Sequence, residues 1–230
     1  MKSRFHSTQR NMDTDQSVNI SADTDEPTTR TRRPDDRAPE IARAALELFV
    51  TKGFAATKLE DVAKAAGVSK GLPYLYFKNK EELFKAVIVE GIGEPLVRAN
   101  ELVDSFEGTT EELLRVLVAK FREFAESPVG GVIKLILAEA GNFPDVARFY
   151  CSNFDLRGRA LFAKMLRRGV ERGEFGPIAD IDMTAIIFAQ PLAMHAVWLR
   201  SIAPYDDTQP VDSDRFYDAY IEFVLKGLRA

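Results

Sequence analysis

The sequence predicts an all-α fold from residue 37 onward, and three observations support this prediction. Apolar residues recur at helical spacing, as at Ile41, Ala44, Ala45, Leu48 and Phe49. Glycines, prolines and helix-capping residues separate one such segment from the next. No segment of the sequence keeps the apolar–polar alternation of a β-strand, and no internal repeat is present.

The composition excludes several classes of protein. The chain has 230 residues, of which 46% are hydrophobic and 29% charged, and this suits one or two domains with a sizeable core. A single Cys rules out a disulfide framework and a thiolate-built zinc site, and two His leave little for a metal centre or a general base. Phosphate-loop and nucleophile-elbow motifs are missing from the sequence. We therefore expect no enzyme activity, no cofactor and no metal site.

The longest strongly apolar run without Asp, Glu, Lys or Arg extends from Met183 to Leu199. It is shorter than the ~20 residues that a membrane-spanning helix needs, and it contains Gln190, Pro191 and His195. We expect a helix that protein buries on most sides and no membrane contact. The first 20 residues show no secretory signal pattern, so we expect a cytoplasmic protein.

Charge divides the chain into three segments. Residues 1–36 are polar, hold six basic and seven acidic residues, and are predicted to be a disordered arm; their Arg30, Arg32 and Arg33 suit either contact with DNA or a solvated tail. Residues 37–86 hold nine basic and six acidic residues, whereas residues 87–230 hold 16 basic and 22 acidic residues. A basic module on an acidic body is the asymmetry expected of a nucleic-acid-binding protein.

The basic module has the layout of a helix-turn-helix. Its first helix ends near Gly53, a Thr57–Glu60 capping box opens a second helix that ends at Gly67, and Ser69 offers a cap for a third segment. Two short helices joined by a glycine-containing turn make the second one available to a DNA major groove. The polar groups that follow, on Tyr74, Tyr76, Lys78 and Lys80, are suited to holding phosphates.

Residues 44–84, AALELFVTKGFAATKLEDVAKAAGVSKGLPYLYFKNKEELF, resemble the DNA-binding domain of the TetR family of bacterial transcriptional regulators. The remainder resembles the family in its all-helical layout and in the NFPDVARFY and RRGVERGEF segments. The resemblance implies an N-terminal three-helix helix-turn-helix domain, residues 37–86. It also implies a C-terminal helical ligand-binding and dimerisation domain, residues 87–230.

The resemblance also implies roles for individual residues in DNA binding. Thr57 would cap the second helix and meet a phosphate, and Lys80 would hold a phosphate beside a helix N-terminus. The groove would be faced by Lys70, Gly71 and Leu72 and flanked by Tyr74 and Tyr76. The chain departs from the family pattern at two positions. Glu60 stands where many members carry a basic or neutral residue, and Pro73 replaces the usual Leu or Ile.

Two prolines predict local features of the helices that contain them. Pro73 lacks a backbone N–H and disfavours helical angles at Leu72, so the regular third helix should begin near residue 73 after a looser turn. Pro95, close to Gly91 and Gly93, should kink or break a long helix that Asn79 caps. That segment would be either a hinge for ligand signalling or a way to clear a neighbouring helix.

The remaining helical patterns lie at 110–126, 129–140, 144 to about 172, 183–202 and 213–228. The last two carry more apolar surface than one core face uses, which predicts a twofold dimer through a four-helix bundle. Candidate ligand-binding residues lie on the helices that surround the regulatory cavity in the family, although each also fits simple core packing, and for His195 a hydrogen-bonded core position is the expectation. These candidates are Phe121, Phe124, Phe143, Tyr150, Phe154, Met194, His195 and Trp198.

The leading hypothesis is a homodimeric, ligand-responsive repressor that leaves palindromic double-stranded operator DNA when an unknown small lipophilic or amphipathic molecule binds. One alternative is a TetR-type activator, because the family contains activators as well. The other is a helical protein-interaction module that does not bind DNA.

Overall fold

The computed structural model describes residues 37–229, and all regular elements within them are helical. The predicted all-α fold is confirmed. Four helices build the basic module and connect it to the rest of the chain. They are α1 (Arg37–Lys52), α2 (Leu59–Ala65), α3 (Leu72–Tyr76) and α4 (Lys80–Ser105). We call residues 37–86 the head and residues 87–229 the body; the predicted arm, residues 1–36, lies outside the described residues.

Six further α-helices follow in the body. They are α5 (Thr110–Glu126), α6 (Gly131–Glu139), α7 (Pro144–Tyr150), α8 (Leu156–Glu171), α9 (Ile181–Ser201) and α10 (Ser213–Leu228). The helix predicted from residue 144 to about 172 is divided by a π-helical turn at Cys151–Asp155, which separates α7 from α8.

Side-chain caps fix where several helices begin. The Asn79 side chain accepts a hydrogen bond from the Glu82 backbone N–H at 2.9 Å, as the sequence predicts. At α5, Thr109 and Glu112 form a reciprocal capping box, since each side chain accepts from the backbone N–H of the other residue. Asp180 and Asp212 cap α9 and α10 in the same way as Asn79.

α4 is continuous from Lys80 to Ser105, so the predicted break near Pro95 is absent. Pro95 has no N–H to donate to the Gly91 carbonyl, but its side chain is exposed. Buried residues hold α4 on both sides of Pro95: Leu83, Phe84, Val87 and Ile88 before it, and Val103 after it. Packing on both sides therefore outweighs the lost hydrogen bond.

Two hydrophobic clusters form the core. The first joins α1, α2 and α4 of the head to α6 and α7, and it contains Phe49, Phe54 and Phe84. The second lies among α5, α8, α9 and α10. The head thus packs directly on α6 and α7, and the domain boundary at residue 86 stays a prediction.

Glycines let α6 approach both α1 and α4 closely. A Cβ atom on Gly131 would lie 2.7 Å from a methyl carbon of Val50 on α1. A Cβ atom on Gly91 of α4 would lie 3.3 Å from a methyl carbon of Val132 on α6. The N-terminal half of α6 is therefore in contact with the two helices that carry the head.

α9 is not buried on most sides, so that expectation is wrong for the single chain. Its buried residues are Ala185, Leu192, His195 and Ala196. The opposite face is apolar and open to solvent, with spacings of four and seven residues between its members Met183, Ile187, Met194 and Trp198. Within residues 37–229, α9 is also the helix that is long and apolar enough to cross a membrane by length and composition. Sequence periodicity could not separate a core face from a face that another molecule covers.

Candidate nucleic-acid interface and ligand-binding region

A tight turn places α3 beside α2. Gly67 has φ of +65°, a left-handed conformation that favours glycine, and this reverses the chain after α2. The Val68 N–H then donates to the Ala63 carbonyl at 2.9 Å, and the Leu72 N–H donates to the Ser69 carbonyl at the same distance. α3 begins at Leu72, with Pro73 in its first turn, so the predicted looser turn before the helix is confirmed.

The outward face of α3 differs from the predicted one. Pro73 is buried, and Leu72 packs partly against the head core, so the structure turns Leu72 away from the position that the resemblance implies. Lys70, Gly71, Tyr74 and Tyr76 are exposed as expected. Leu75, which sequence reasoning missed, is 81% exposed at the centre of the helix. The sequence feature that could have indicated this exposure is its spacing. Leu75 stands two residues from both Pro73 and Phe77, which the structure buries.

Glu60 of α2 contacts two of the predicted DNA-binding side chains. The Tyr74 hydroxyl donates to a Glu60 carboxylate oxygen at 3.3 Å, and the Lys70 ammonium lies 3.7 Å from the same oxygen. A hydrogen bond from its own backbone N–H, followed by the charge of Lys70, holds the pKa of Glu60 below its usual value. Partial burial and then the Glu60 charge raise the pKa of Tyr74. Glu60 is therefore ionised at neutral pH, and Tyr74 keeps its proton.

Thr57 does not cap α2 and does not face outward. Its side chain is 2% exposed, and its hydroxyl donates to the Gly53 carbonyl at 2.8 Å. The residue before α2 is Lys58, whose backbone N–H donates to the Asp61 carboxylate at 3.2 Å. The predicted capping box is thus displaced by one residue, because the Thr57 hydroxyl is used to close the loop between α1 and α2.

Lys80 also points inward rather than toward a phosphate. Its ammonium donates to the Phe54 carbonyl and to the Ala55 carbonyl, the latter at 3.3 Å, and it lies 4.2 Å from the centroid of the Phe54 ring. Burial lowers the pKa of Lys80, and the charge of Glu139 on α6 partly opposes this. Lys78, two residues earlier, is exposed. The carbonyls of the α1–α2 loop outcompete solvent for Lys80, and no sequence pattern indicates this.

Five of the candidate ligand-binding residues belong to the first hydrophobic cluster or pack against it. Phe121, Phe124, Phe143 and Tyr150 are partly buried against the first hydrophobic cluster, to which the buried Phe154 belongs. The rings of Tyr150 and Phe154 are stacked with centroids 6.5 Å apart, and Phe143 meets Phe54 of the head edge to face at 4.8 Å. Burial raises the pKa of Tyr150. We call these five residues the aromatic layer, and Phe143 brings it into contact with the head.

The other three candidates lie elsewhere. Met194 and Trp198 are on the open face of α9, 60% and 36% exposed. His195 is buried, stacks on Phe216 of α10 at 3.7 Å between ring centroids, and lies 3.3 Å from the Ser213 hydroxyl. Burial lowers the pKa of His195. The structure therefore does not bring these three to the aromatic layer, and His195 takes the hydrogen-bonded core position that the sequence favours.

An open apolar groove of about 300 Å³ runs between α9 and α10. Ile187, Pro191 and Phe223 are among its lining residues, and Phe223 is 78% exposed. The groove and the open face of α9 join into one apolar surface, which we call the α9–α10 face.

Two family models match the chain. One describes bacterial regulatory proteins of the tetR family and matches residues 41–87. The other describes a tetracyclin repressor-like C-terminal domain and matches residues 107–212. The first match covers nearly all of the head, which includes the start of α4, and the second covers most of the body.

Individual proteins match over most of the chain. The HTH-type transcriptional repressor KstR2 of Mycolicibacterium smegmatis is 24% identical over 197 residues, which are 85% of this chain and 92% of that protein. YfiR of Bacillus subtilis, an uncharacterized HTH-type transcriptional regulator, is 30% identical over 156 residues, 67% of this chain and 75% of that protein. The crystal structure of FadR from Bacillus subtilis in complex with stearoyl-CoA has a TM-score of 0.63 and 21% identity, covering 83% of this chain and 98% of that one.

A helix-turn-helix head that presents a short exposed helix, carried on an all-helical body, defines a DNA-binding transcriptional regulator. The chain belongs to the TetR family of bacterial regulatory proteins. It is a DNA-binding regulator of transcription.

Proposed function

We propose that the chain is a cytoplasmic, homodimeric repressor that leaves its operator when a small lipophilic or amphipathic molecule binds to the body. The observation that carries this proposal is the outward face of α3, where Lys70, Tyr74 and Leu75 are exposed on a head of net positive charge. The relative KstR2 is named a repressor, which favours repression over activation.

The α9–α10 face supports the homodimer. It combines the groove with exposed apolar side chains over the length of α9. An apolar surface of this extent on a single chain marks an interface, and two copies related by a twofold axis would pack these helices as a four-helix bundle. The two α3 helices would then meet successive major grooves, with half-site centres about 34–36 Å apart.

The aromatic layer supports a lipophilic effector. Its rings come from α5, from α7 with the preceding residue Phe143, and from the π-helical turn, and a separation of those elements would open an apolar cavity. FadR of Bacillus subtilis was crystallised with stearoyl-CoA, so a long-chain acyl-CoA is the first effector to test.

α6 supports a route from the effector to the head. Gly131 of α6 approaches α1, and the same helix approaches Gly91 of α4. The C-terminal end of α6 leads to Phe143 in the aromatic layer. A ligand that prefers one position of α6 would shift the head between two arrangements. Release from DNA then depends on the difference in ligand affinity between these arrangements.

The proposal is tested by selection of bound duplexes from a random pool with the full-length chain. The expected result is a palindrome with half-site centres about 10–10.5 base pairs apart. Fluorescence anisotropy on that operator should then show release by stearoyl-CoA, with coenzyme A alone and stearate alone as controls. A promoter fusion should become more active when the regulator is deleted; lower activity would instead make it an activator. Failure to enrich any sequence would overturn the DNA-binding part of the proposal.

A further inference from the structure

Leu75 is an apolar side chain in the centre of the surface that the head offers to DNA. It is 81% exposed, more than Tyr74 at 52% and Tyr76 at 36%, and it belongs to neither hydrophobic cluster. A single exposed leucine needs no explanation on an ordinary surface. Here its position in α3 matters, because that helix is what the head places in a major groove.

The geometry of α3 aims Leu75 directly away from the head core. Pro73 and Phe77 are both buried, and each is two residues from Leu75. Because successive residues of a helix are rotated by about 100°, positions two residues away lie on nearly the opposite side. Tyr74 and Tyr76 therefore flank Leu75, which occupies the most outward position of the helix.

The neighbouring polar side chains are less free to meet bases. Lys70 and Tyr74 both contact the Glu60 carboxylate, so their use on DNA requires that these contacts be exchanged. Leu75 has no such contact to give up, since its side chain lies outside the packed core. It is therefore available to the groove in the conformation that the structure shows.

The chemistry of the groove then selects a partner. An isobutyl group neither donates nor accepts a hydrogen bond, and covering a base edge with it would leave polar groups unpaired. The apolar group that a base pair presents in the major groove is the C5-methyl group of thymine. We propose that Leu75 packs against the methyl group of one thymine in each operator half-site and thereby reads that base. This inference rests on the proposed DNA-binding function and adds a specificity-determining residue to it.

The experiment removes the methyl group and the side chain separately. After the operator has been selected, each thymine is replaced in turn by deoxyuridine, which pairs identically and lacks only the methyl group. Binding of the full-length wild type and of Leu75→Ala is then measured on each duplex. Burial of one methyl-sized group predicts about fourfold weaker wild-type binding per half-site at one thymine position, and about 16-fold when both half-sites are substituted.

Leu75→Ala should bind the thymine and deoxyuridine duplexes equally at that position, because the partner of the methyl group is gone. The matched control is Leu156→Ala on α8, the same truncation at a 58% exposed position of the body, and it should keep the wild-type loss. An equal loss for wild type and Leu75→Ala at every thymine would overturn the inference and leave the proposed function standing. A chain that enriches no duplex would overturn both. Unchanged thermal melting of Leu75→Ala verifies that the variant folds.

Discussion

Glu60 places a negative charge among the side chains that the proposed interface offers to DNA. It holds Lys70 and Tyr74 through one carboxylate oxygen, so in the free protein the positive charge of Lys70 is partly neutralised. A carboxylate near a phosphate backbone is also repelled by it. Glu60 should therefore weaken binding that depends on phosphates alone, and this raises the relative weight of contacts to bases.

Glu60→Gln is expected to bind every duplex more tightly, by roughly three- to tenfold at low salt, since the repulsion of phosphates and the competition for Lys70 are removed. Release of Lys70 to a phosphate should also steepen the dependence of log affinity on log salt by about one per subunit. The measurement is a salt titration on operator and on unrelated DNA. The selectivity between the two should fall.

Glu47→Gln is the control for net charge, because Glu47 is an exposed acid on α1. It changes the total charge equally and should leave the salt dependence near that of the wild type. If both variants gained affinity to the same extent, the effect would belong to the total charge and not to the position of Glu60.

Lys78 and Lys80 are two residues apart, but their mutation should affect different properties: the salt dependence of binding for Lys78 and the stability of the fold for Lys80. Lys78→Ala should reduce the salt dependence of operator binding by about one per subunit, because we expect the exposed lysine to meet a phosphate, and it should have little effect on stability. Lys80→Met should leave the salt dependence unchanged and lower the free energy of unfolding by on the order of 1–3 kcal/mol, because it deprives the Phe54 carbonyl of its partner. Denaturant unfolding and salt titration of both variants provide the measurements. The reverse pattern would mean that Lys80 leaves its carbonyl contacts to hold DNA.

At the scale of elements, local signals predicted helix ends well, and long-range packing decided the exceptions. Asn79 caps α4, and Pro73 lies in the first turn of α3, as their local chemistry requires. Thr57 looked like a cap from its spacing to Glu60, but its hydroxyl is taken by the carbonyl of Gly53. Pro95 looked like a break, but burial on both sides keeps the helix intact. Both errors concern interactions that depend on the folded surroundings.

Gly131 tests the contact of α6 with α1. Gly131→Ala would place a methyl group 2.7 Å from Val50, a β-branched side chain that cannot turn away freely, and should cost about 1–3 kcal/mol of stability. Val50→Ala in the same chain should recover much of that loss by making room. Thermal or urea unfolding of the two single variants and the double variant gives the coupling energy. Strictly additive effects would contradict direct contact between these helices.

His195 links α9 to α10 and should make stability depend on pH. Its folded pKa lies below the ordinary value because of burial, so the unfolded chain binds the proton more readily. The stabilising contribution is complete above about pH 6.5 and is lost as the pH falls through the lower folded pKa. His195→Phe, which keeps a ring against Phe216, should lose less stability than the wild type between pH 7.5 and 5.5 in urea unfolding. An equal loss in both would assign the pH dependence to carboxyl groups alone.

At the scale of the whole molecule, the sequence predicted the family, the helices and the exposure of the tyrosines in the proposed DNA interface, but not the direction of every side chain. Lys80 turns to loop carbonyls that are 25 and 26 residues away in sequence. Met194 and Trp198 are apolar and at helical spacing, which fits a core face and an interface face equally well. The exposure of Leu75 was not predicted, because an apolar residue is first expected in the core. Each case requires knowledge of which surfaces the fold covers.

The last prediction concerns the α9–α10 face, whose apolar surface we expect a second copy of the chain to cover. The wild type should be a dimer by light scattering at micromolar concentration, with about 800 Å² or more buried per partner. Phe223→Asp places two charges in one twofold interface and removes two large rings, so dimer dissociation should increase at least 100-fold. Leu156→Asp, an equally polar change at an exposed leucine of α8, should remain dimeric. Operator affinity should fall with dimer dissociation, because a monomer engages one half-site; a dimeric Phe223→Asp chain would place the interface elsewhere.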